Sequence, residues 1–300
     1  MSTTKNIAAS VRQKLLNRAR MDKRPFAELL QYYAMERFLY RLSQSTHAKH
    51  FILKGALMLR VWESPEFRPT MDIDMLGKTS NDEANIVSQI IEILGVAVDP
   101  DGLNFDIGSI QSERITEDAD YRGVRVRFRG TLDSARIKMQ IDIGFGDVVH
   151  PNPEERELPV MFDFSAPRLL CYSRESAIAE KFEAMVKLGI LNSRMKDFFD
   201  IWLLSRQFNF NGNQLLQAIQ LTFKQRGTDL PSNIIAFQAA FIKEKQVQWT
   251  AFRKRLGQEY LPKELAEVIE QLSAFLTTVV EAAQNGDEFD MCWVAPFGWQ

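Results

Sequence analysis

Two aspartates stand two positions apart in the segment RPTMDID at residues 68–74. Residues 71–76 alternate between apolar and polar side chains, which predicts a strand, and residues two apart on a strand point to the same face. Asp72 and Asp74 therefore hold two carboxylates side by side, and these repel each other unless a cation lies between them. Oxygen ligands of this kind suit Mg²⁺, which proteins typically hold with one or two carboxylates and substrate phosphates. The alternative is a solvent-facing strand that carries two acids.

A second acidic strand strengthens the metal interpretation. In KMQIDI (138–143), three apolar side chains face one way, while Lys138, Gln140 and Asp142 face the other. Three carboxylates on adjacent strands can hold two metal ions about 3.5–4 Å apart, an arrangement that serves in-line phosphoryl displacement. Asp142 would act there as a ligand or a general base. We predict that Asp72, Asp74 and Asp142 meet at one edge of a mixed sheet, and that Asp147 is a turn residue.

A turn upstream of the two aspartates offers a place for phosphate. The residues Lys54, Gly55 and Ala56 join a predicted strand to a predicted helix. A glycine there lets backbone N–H groups approach phosphate oxygens, and a helix N-terminus adds the positive end of a dipole. Most turns of this type bind nothing, so the interpretation depends on the position of this turn just before the two-aspartate strand.

A lysine in the second half of the chain requires an anionic partner. Lys181 lies between Ile178 and Met185 beside a largely apolar helix face, where a solvated lysine is not expected. The phosphates of an NTP would supply the negative charge. The alternative is an inter-helix salt-bridge network, whose members would be Lys181, Arg194, Asp197 and Asp200.

Three arginines share one face of another predicted strand. Arg125, Arg127 and Arg129 alternate with apolar residues in the segment VRVRFR at 124–129. Such a row is typical of a track for a phosphate backbone. It is equally typical of a solvated sheet face, and the sequence leaves both interpretations open.

The secondary structure predicted to position these residues differs between the two halves of the chain. We predict two N-terminal helices (8–20 and 25–43), a helix at 81–94, and strands at 50–53, 71–76, 105–110, 124–129, 135–143 and 169–172, of which the third to fifth form an antiparallel meander. Further helices are predicted at 174–188, 194–206, 212–224, 233–241, 246–256 and 261–283, followed by an irregular tail. The fold class is thus α+β, with a mixed sheet in residues 1–165 and a helical domain in residues 166–300.

Composition limits the class of protein. The 300 residues are 45% hydrophobic and 25% charged, with a formal net charge of −2, which argues against a protein whose main task is to coat nucleic acid. No apolar run is long enough to cross a bilayer, and the N-terminal segment lacks the apolar core of a signal peptide. The only cysteines are Cys171 and Cys292, so we expect a reducing, cytoplasmic location and a core position for Cys171. The three histidines lack zinc-ligand spacing.

Five segments together resemble the AbiEii/AbiGii toxin family, the nucleotidyltransferase-like toxins of type IV toxin–antitoxin systems. These segments are FILKGALML (51–59), RPTMDIDML (68–76), IDIGFGD (141–147), ESAIAEKFEAMVKLGI (175–190) and NSRMKDFFDIWLL (192–204). The resemblance implies a polymerase-β-like nucleotidyltransferase core that uses an NTP with Mg²⁺. It also implies nucleotide transfer to RNA, namely tRNA ends in studied relatives, a cognate antitoxin and a role in phage defence.

The resemblance also assigns roles to single residues. Asp72 and Asp74 match the metal pair, and with Asp142 they form the expected catalytic and metal-binding set. Expected nucleotide-binding residues are Lys54, Gly55 and Ala56 of the phosphate turn, Arg68 and Thr70 before the aspartates, the phosphate-binding Lys181, and the acids Asp197 and Asp200 of the closing motif.

One departure from the family pattern keeps other functions open. Fuller members place a second glycine and a serine or threonine after Lys-Gly, where this chain has Ala56 and Leu57. The alternative is therefore a catalytically weakened nucleotide- or RNA-binding module that acts through partner contacts. A third interpretation, a metal-dependent nuclease that uses the same carboxylates, predicts shortening of RNA instead of extension.

Overall fold

A seven-stranded mixed sheet organises the first of the two units into which the chain divides. The computed structural model describes residues 6–64, 68–118 and 121–300. Unit 1 comprises Met1–Gly146 and Glu154–Tyr172, and unit 2 comprises Asp147–Pro153 and Ser173–Gln300. The strands of unit 1 are β1 (Phe51–Lys54), β2 (Ile73–Gly77), β3 (Leu103–Asp118), β4 (Tyr121–Leu132), β5 (Ala135–Phe145), β6 (Glu154–Glu157) and β7 (Arg168–Cys171).

The strand order is β3-β4-β5-β2-β1-β7-β6. The predicted meander is confirmed, because β3, β4 and β5 pair in sequence as antiparallel neighbours. β5 then pairs with β2 in parallel, and β1 lies antiparallel to β2 and parallel to β7. β6 is absent from the predicted strands, and its four residues are all charged and exposed. An edge strand of this composition carries no apolar alternation from which it could be predicted.

The helices of unit 1 are α1 (Ile7–Met21), α2 (Phe26–Gln44), the short α3 (Met58–Val61) and α4 (Glu83–Leu94). Capping side chains fix two of their starts, since Asn6 accepts the N–H of Ala9 and Asp82 accepts the N–H of Asn85. α2 is buried nearly all round, which is typical of a helix in the core.

Unit 2 is built mainly from the helices α5 (Arg174–Leu188), α6 (Met195–Gln207), α7 (Gly212–Arg226), α8 (Ala239–Leu256) and α9 (Leu265–Asn285). The helix predicted at 233–241 was wrong over 233–238, where only a 3₁₀ turn forms at Ile235–Phe237, and its last three residues begin α8. The tail is not irregular. It adds β9 (Cys292–Val294) and β10 (Gly298–Trp299) to the short β8 (Phe210–Asn211).

Aromatic packing explains the order in this tail. Trp293 lies with its ring centroid 4.8 Å from that of Phe275 on α9, and its indole N–H donates to the carbonyl of Ser205 at 2.6 Å. A periodicity search cannot detect such contacts in strands of two or three residues. In the part of the chain that the structure describes, no helix is long and apolar enough to cross a membrane.

Candidate active site

The three predicted carboxylates converge on one face of the sheet of unit 1. Asp74 on β2 stands directly opposite Asp142 on β5 in the parallel register, and Asp72 immediately precedes β2. One carboxylate oxygen from each of the three lies within 4.8 Å of the others. The predicted convergence is confirmed. The prediction that the acids meet at one edge of the sheet was wrong. β2 and β5 lie in the middle of the strand order, with β1, β7 and β6 beyond them.

Gly55 makes room for Asp74. Its backbone has φ +74°, and a Cβ built on it would lie 2.0 Å from Oδ2 of Asp74 and 2.7 Å from Cβ of the same residue. Only glycine combines this backbone conformation with so close an approach. Lys54, which pairs with Asp74 across β1 and β2, places its ammonium 5.2 Å from the ring centroid of Tyr172.

The residues after Gly55 face the core. The side chains of Ala56 and Leu57 are buried, with exposures of 6% and 2%, in a 3₁₀ turn that leads into the four-residue α3. The helix predicted after the turn is thus much shorter than a phosphate-binding helix of ordinary length. Any contact of Ala56 with a phosphate would have to use its backbone.

Thr70 holds the first aspartate. Its hydroxyl donates to Oδ1 of Asp72 at 2.6 Å, and its backbone N–H donates to the hydroxyl oxygen of Tyr32 at 3.2 Å. Burial raises the pKa of the Tyr32 phenol, which keeps the acceptor neutral. Arg68, predicted to bind nucleotide, is half-buried two residues before Thr70.

Gln31 on α2 is a positioning residue that the sequence reasoning missed. Its side-chain amide donates to the carbonyl oxygens of Met71 and Lys138, both at 3.0 Å. These carbonyls belong to the two segments that carry the acids, so one buried amide ties the segments together. A polar residue inside an apolar helix was the available signal.

Arg125 belongs to the carboxylate cluster. Its Nε donates to Oδ1 of Asp142 and its Nη2 donates to Oδ2, both at 2.7 Å. This hydrogen bond to Asp142 is the main cause that raises the pKa of the Arg125 guanidinium. The next arginine, Arg127, pairs with Glu113 at 2.9 Å and with Gln140 at 3.1 Å. The row of arginines therefore does not act as one uniform surface.

The cluster brings three carboxylates close together. All three are half-buried, and Arg125 forms a bidentate pair with one of them, Asp142. Hard oxygen ligands at these separations suit a divalent cation, so the residues present fit the metal that the sequence led us to expect.

In unit 2, Lys181 is paired with two buried acids. Its ammonium lies 2.8 Å from Asp200 and 3.4 Å from Asp197, and Arg194 contacts Asp197 at 2.6 Å. The acids are 4% and 1% exposed and the lysine side chain is 18% exposed. This network is the salt-bridge alternative that the sequence left open. It connects α5 to the first turns of α6.

Asp147 is not a simple turn residue. It is buried and accepts from Arg226 on α7 at 2.9 Å, and the same guanidinium contacts Glu183 at 3.0 Å and Glu180 at 3.6 Å. Burial alone would lower the pKa of Arg226, but the three carboxylates raise it. Arg226 thus remains charged and ties the 147–153 segment to the helices of unit 2. The core position predicted for Cys171 is confirmed, and burial raises its thiol pKa to about 12.

A family model described as nucleotidyl transferase AbiEii toxin, type IV TA system, matches residues 37–276 of this sequence. The match spans both the carboxylate cluster and the Lys181 network. The chain belongs to the AbiEii family. It is therefore a nucleotidyltransferase and the toxin of a toxin–antitoxin system, for which a cognate antitoxin is the implied partner and an NTP the implied substrate.

Two solved structures are also similar to this AbiEii protein. JHP933 from Helicobacter pylori is 13% identical, with a TM-score of 0.45, over 83% of this chain and 89% of that one. A candidate nucleotidyltransferase from H. pylori is 14% identical, with a TM-score of 0.44, over 86% of this chain and 95% of that one. No curated protein matches the sequence.

Proposed function

We propose that this AbiEii protein transfers a nucleoside monophosphate from an NTP to an RNA acceptor, such as the 3′ end of tRNA, as the toxin of a phage-defence system. The observation that carries the proposal is the convergence of Asp72, Asp74 and Asp142 within 4.8 Å in a chain of this family. We infer that the sheet of unit 1 is a polymerase-β-like core and that these three residues hold Mg²⁺. When bound, Mg²⁺ supplies positive charge that draws the triphosphate to the carboxylates.

The residues around the three carboxylates hold them in fixed orientations. Thr70 fixes the rotamer of Asp72 through a 2.6 Å hydrogen bond, and Gly55 leaves the space that the Asp74 carboxylate occupies. Arg125 fixes Asp142 through two hydrogen bonds. Preorganised groups of this kind favour reaction because they need no rearrangement when the phosphoryl group transfers.

Nucleotide binding involves a further set of residues in this proposal. Backbone N–H groups of the turn after Lys54 are donors for phosphate oxygens, and Lys181 supplies a cation whose direction its two acids fix. The proposed nucleotide-binding residues are Lys54, Gly55, Ala56, Arg68, Thr70, Lys181, Asp197 and Asp200.

A basic surface next to the cluster supports an RNA acceptor. On the sheet face that carries Asp142, the next cross-strand pairs are Gln140 with Arg127 and Lys138 with Arg129. The three basic residues are exposed, as is Arg136 one step further. Cations at successive strand positions are suited to phosphate contacts along an extended nucleic acid.

Incubation with each of four labelled NTPs and total RNA tests the function. We expect label to enter RNA that becomes longer, and we expect none with Asp74→Asn under the same conditions. RNA that shortens would show a nuclease instead. Nucleotide binding without incorporation or cleavage would show a binding module, and either result would overturn the proposed transfer.

A further inference from the structure

The first helix concentrates positive charge in a chain that is slightly acidic as a whole. The chain contains 37 lysines and arginines and 39 acids, and seven of the basic residues but one acid lie in residues 1–24. The rest of the chain therefore carries 30 basic residues and 38 acids. α1 itself contains no acid and four basic residues, namely Arg12, Lys14, Arg18 and Arg20. A charge distribution this uneven is typical of a segment that contacts nucleic acid or another anionic surface.

The outer surface of α1 is polar. One face of the helix is fixed to the core of unit 1 by the buried residues Val11, Leu15 and Ala19. The opposite face carries Gln13 and Asn17, which are exposed and joined by a hydrogen bond of 2.9 Å. Large apolar exposure on this helix is confined to Met21 at its last position. A helix that binds in a membrane surface needs an apolar outer face, whereas amides flanked by cations suit the phosphates and riboses of RNA.

Three cations on or beside this outer surface have no acidic partner. Lys14, Arg20 and Lys23 are exposed. Within residues 6–64, 68–118 and 121–300, no carboxylate lies at ion-pair distance from any of them, whereas Arg18 pairs with Asp22 at 2.6 Å. Exposed cations that nearby acids do not neutralise are available to phosphate oxygens.

α1 extends from the turn between β4 and β5 towards the segment that holds Asp72. In its first half, Arg12 lies 3.7 Å from Asp133 in that turn. Just after its end, the guanidinium of Arg24 lies 5.5 Å from the ring centroid of Tyr32, whose hydroxyl accepts a backbone N–H two residues before Asp72. The 15 residues of the helix span about 22 Å, which is several times the length of one nucleotide.

We propose that α1 is a docking helix for the body of the RNA acceptor, away from the 3′ end that receives the nucleotide. The inference rests on the proposed function in taking RNA as the partner. The family match begins at residue 37, so the family assigns no role to α1. Because the contacts are made to phosphates, they act through charge and require no particular base sequence.

Binding of unfractionated tRNA tests the inference without any measurement of transfer. The affinity of the full-length protein for labelled tRNA is measured at several KCl concentrations in the absence of NTP. The α1 variant combines Lys14→Gln, Arg20→Gln and Lys23→Gln. The matched control makes the same charge change at three exposed residues of α8, with Lys243→Gln, Lys254→Gln and Arg255→Gln.

The α1 variant should bind tRNA less tightly and with a weaker dependence on salt. The slope of log affinity against log salt concentration should be less steep by about 2–3, and the affinity at about 0.1 M KCl should fall by roughly tenfold. The α8 control should bind as the parental protein does. So should the charge-preserving combination of Lys14→Arg, Arg20→Lys and Lys23→Arg.

Two results would overturn the docking helix. One is parental affinity and salt slope in the folded α1 variant, or an equal loss in the α1 and α8 variants. The other is a parental protein that binds vesicles of phosphatidylcholine and phosphatidylserine but not tRNA, which would show a membrane contact instead. If the triple variant does not fold, the single variants Lys14→Gln and Arg20→Gln decide the question, since each should reduce the slope by about one.

Failure of the proposed function gives a different result. If the parental protein binds tRNA through α1 but incorporates no nucleotide from any NTP, the docking helix stands and the proposed transfer is wrong. If transfer to tRNA proceeds and the α1 variant keeps the parental KM for tRNA, the transfer stands and the docking helix is wrong.

Discussion

The carboxylate cluster of unit 1 and the Lys181 network of unit 2 contain similar groups in different arrangements. In the cluster, Asp72, Asp74 and Asp142 are half-buried, and their carboxylate oxygens lie within 4.8 Å of one another. In the network, two almost fully buried acids face two cations, Lys181 and Arg194.

This difference separates two uses of buried charge. In an ion-pair network, removal of one member leaves an uncompensated buried ion, which is costly. Carboxylates that lie against one another repel, and they gain from a cation that binds between them. Close approach of several carboxylates therefore indicates a cation site more strongly than the presence of acids does.

The largest effect is expected for Asp74→Asn. The change removes a proposed metal ligand, so transfer should fall by roughly three powers of ten or more. Because it also removes like-charge repulsion, the melting temperature should hold or rise slightly. Transfer rate and melting temperature are measured on one preparation. Transfer at the parental rate would refute the metal assignment.

Gly55→Ala should disturb the same cluster by steric overlap with Asp74. The added methyl group would overlap Oδ2 of Asp74, and a displacement of about 1 Å can cost about 100-fold in rate. Gly146→Ala is the matched control, since Gly146 also has positive φ, at +89°, but a Cβ there meets nothing within 4 Å. Both variants should lose about 1 kcal/mol of stability from backbone strain, and only Gly55→Ala should lose transfer. Equal transfer in the two variants would contradict the steric account.

Lys181→Ala decides whether the Lys181 network also binds the substrate. Loss of a charge-assisted phosphate contact should lower transfer or NTP affinity by roughly one to two powers of ten, with a smaller loss of stability. Lys187→Ala, an exposed lysine on the same helix, is the control. A large drop in melting temperature with near-normal transfer per folded molecule would assign Lys181 a purely structural role.

Much of the site could be predicted from the sequence because alternate residues of a strand point to the same face of the sheet. Asp72, Asp74 and Asp142 converge as their alternation indicated, and Asp74 even pairs directly with Asp142. The partner of Asp142 could not be predicted, because cross-strand pairing of Arg125 depends on the register between β4 and β5. Gln31 was missed for a related reason, since its contacts join α2 to two segments that are remote in sequence.

Helices and strands could be predicted where the regular spacing of apolar residues extends over enough residues to be recognised. The helix predicted at 174–188 matches α5, which begins where Ser173 accepts the N–H of Ser176. The strands β6, β8, β9 and β10 have four residues or fewer, and their order comes from edge pairing and from contacts such as Trp293 on Phe275. Local periodicity contains no information about such contacts.

Glu36→Gln should have the smallest effect on transfer, but it should clearly change the pH dependence of the free energy of unfolding. Burial raises the pKa of Glu36 on α2 from 4.5 to about 7, against the opposing charge of Arg37 and the N–H of Met161. The folded chain thus holds this proton more tightly than the unfolded chain. Its stabilising contribution is complete below pH 4.5 and is lost as pH rises through 7.

Denaturant unfolding of the parental protein and Glu36→Gln at pH 5 and pH 7.5 measures this contribution. The parental protein should lose up to roughly 3 kcal/mol of unfolding free energy relative to the variant across this interval. Transfer per folded molecule should be the same in both. Parallel pH profiles of stability would show that Glu36 titrates normally despite its burial.

The parallel pairing of β2 with β5 has a consequence for the newly made protein. A parallel pair cannot be closed by a tight turn, and here α4, β3 and β4 all lie between the two strands along the chain. Contacts so distant in sequence form only after the intervening chain has been ordered. The ribosome therefore releases Asp72 and Asp74 well before their partner strand. A nascent chain that ends before β5 lacks Asp142, so the cluster of three carboxylates can form only after β5 has been synthesised.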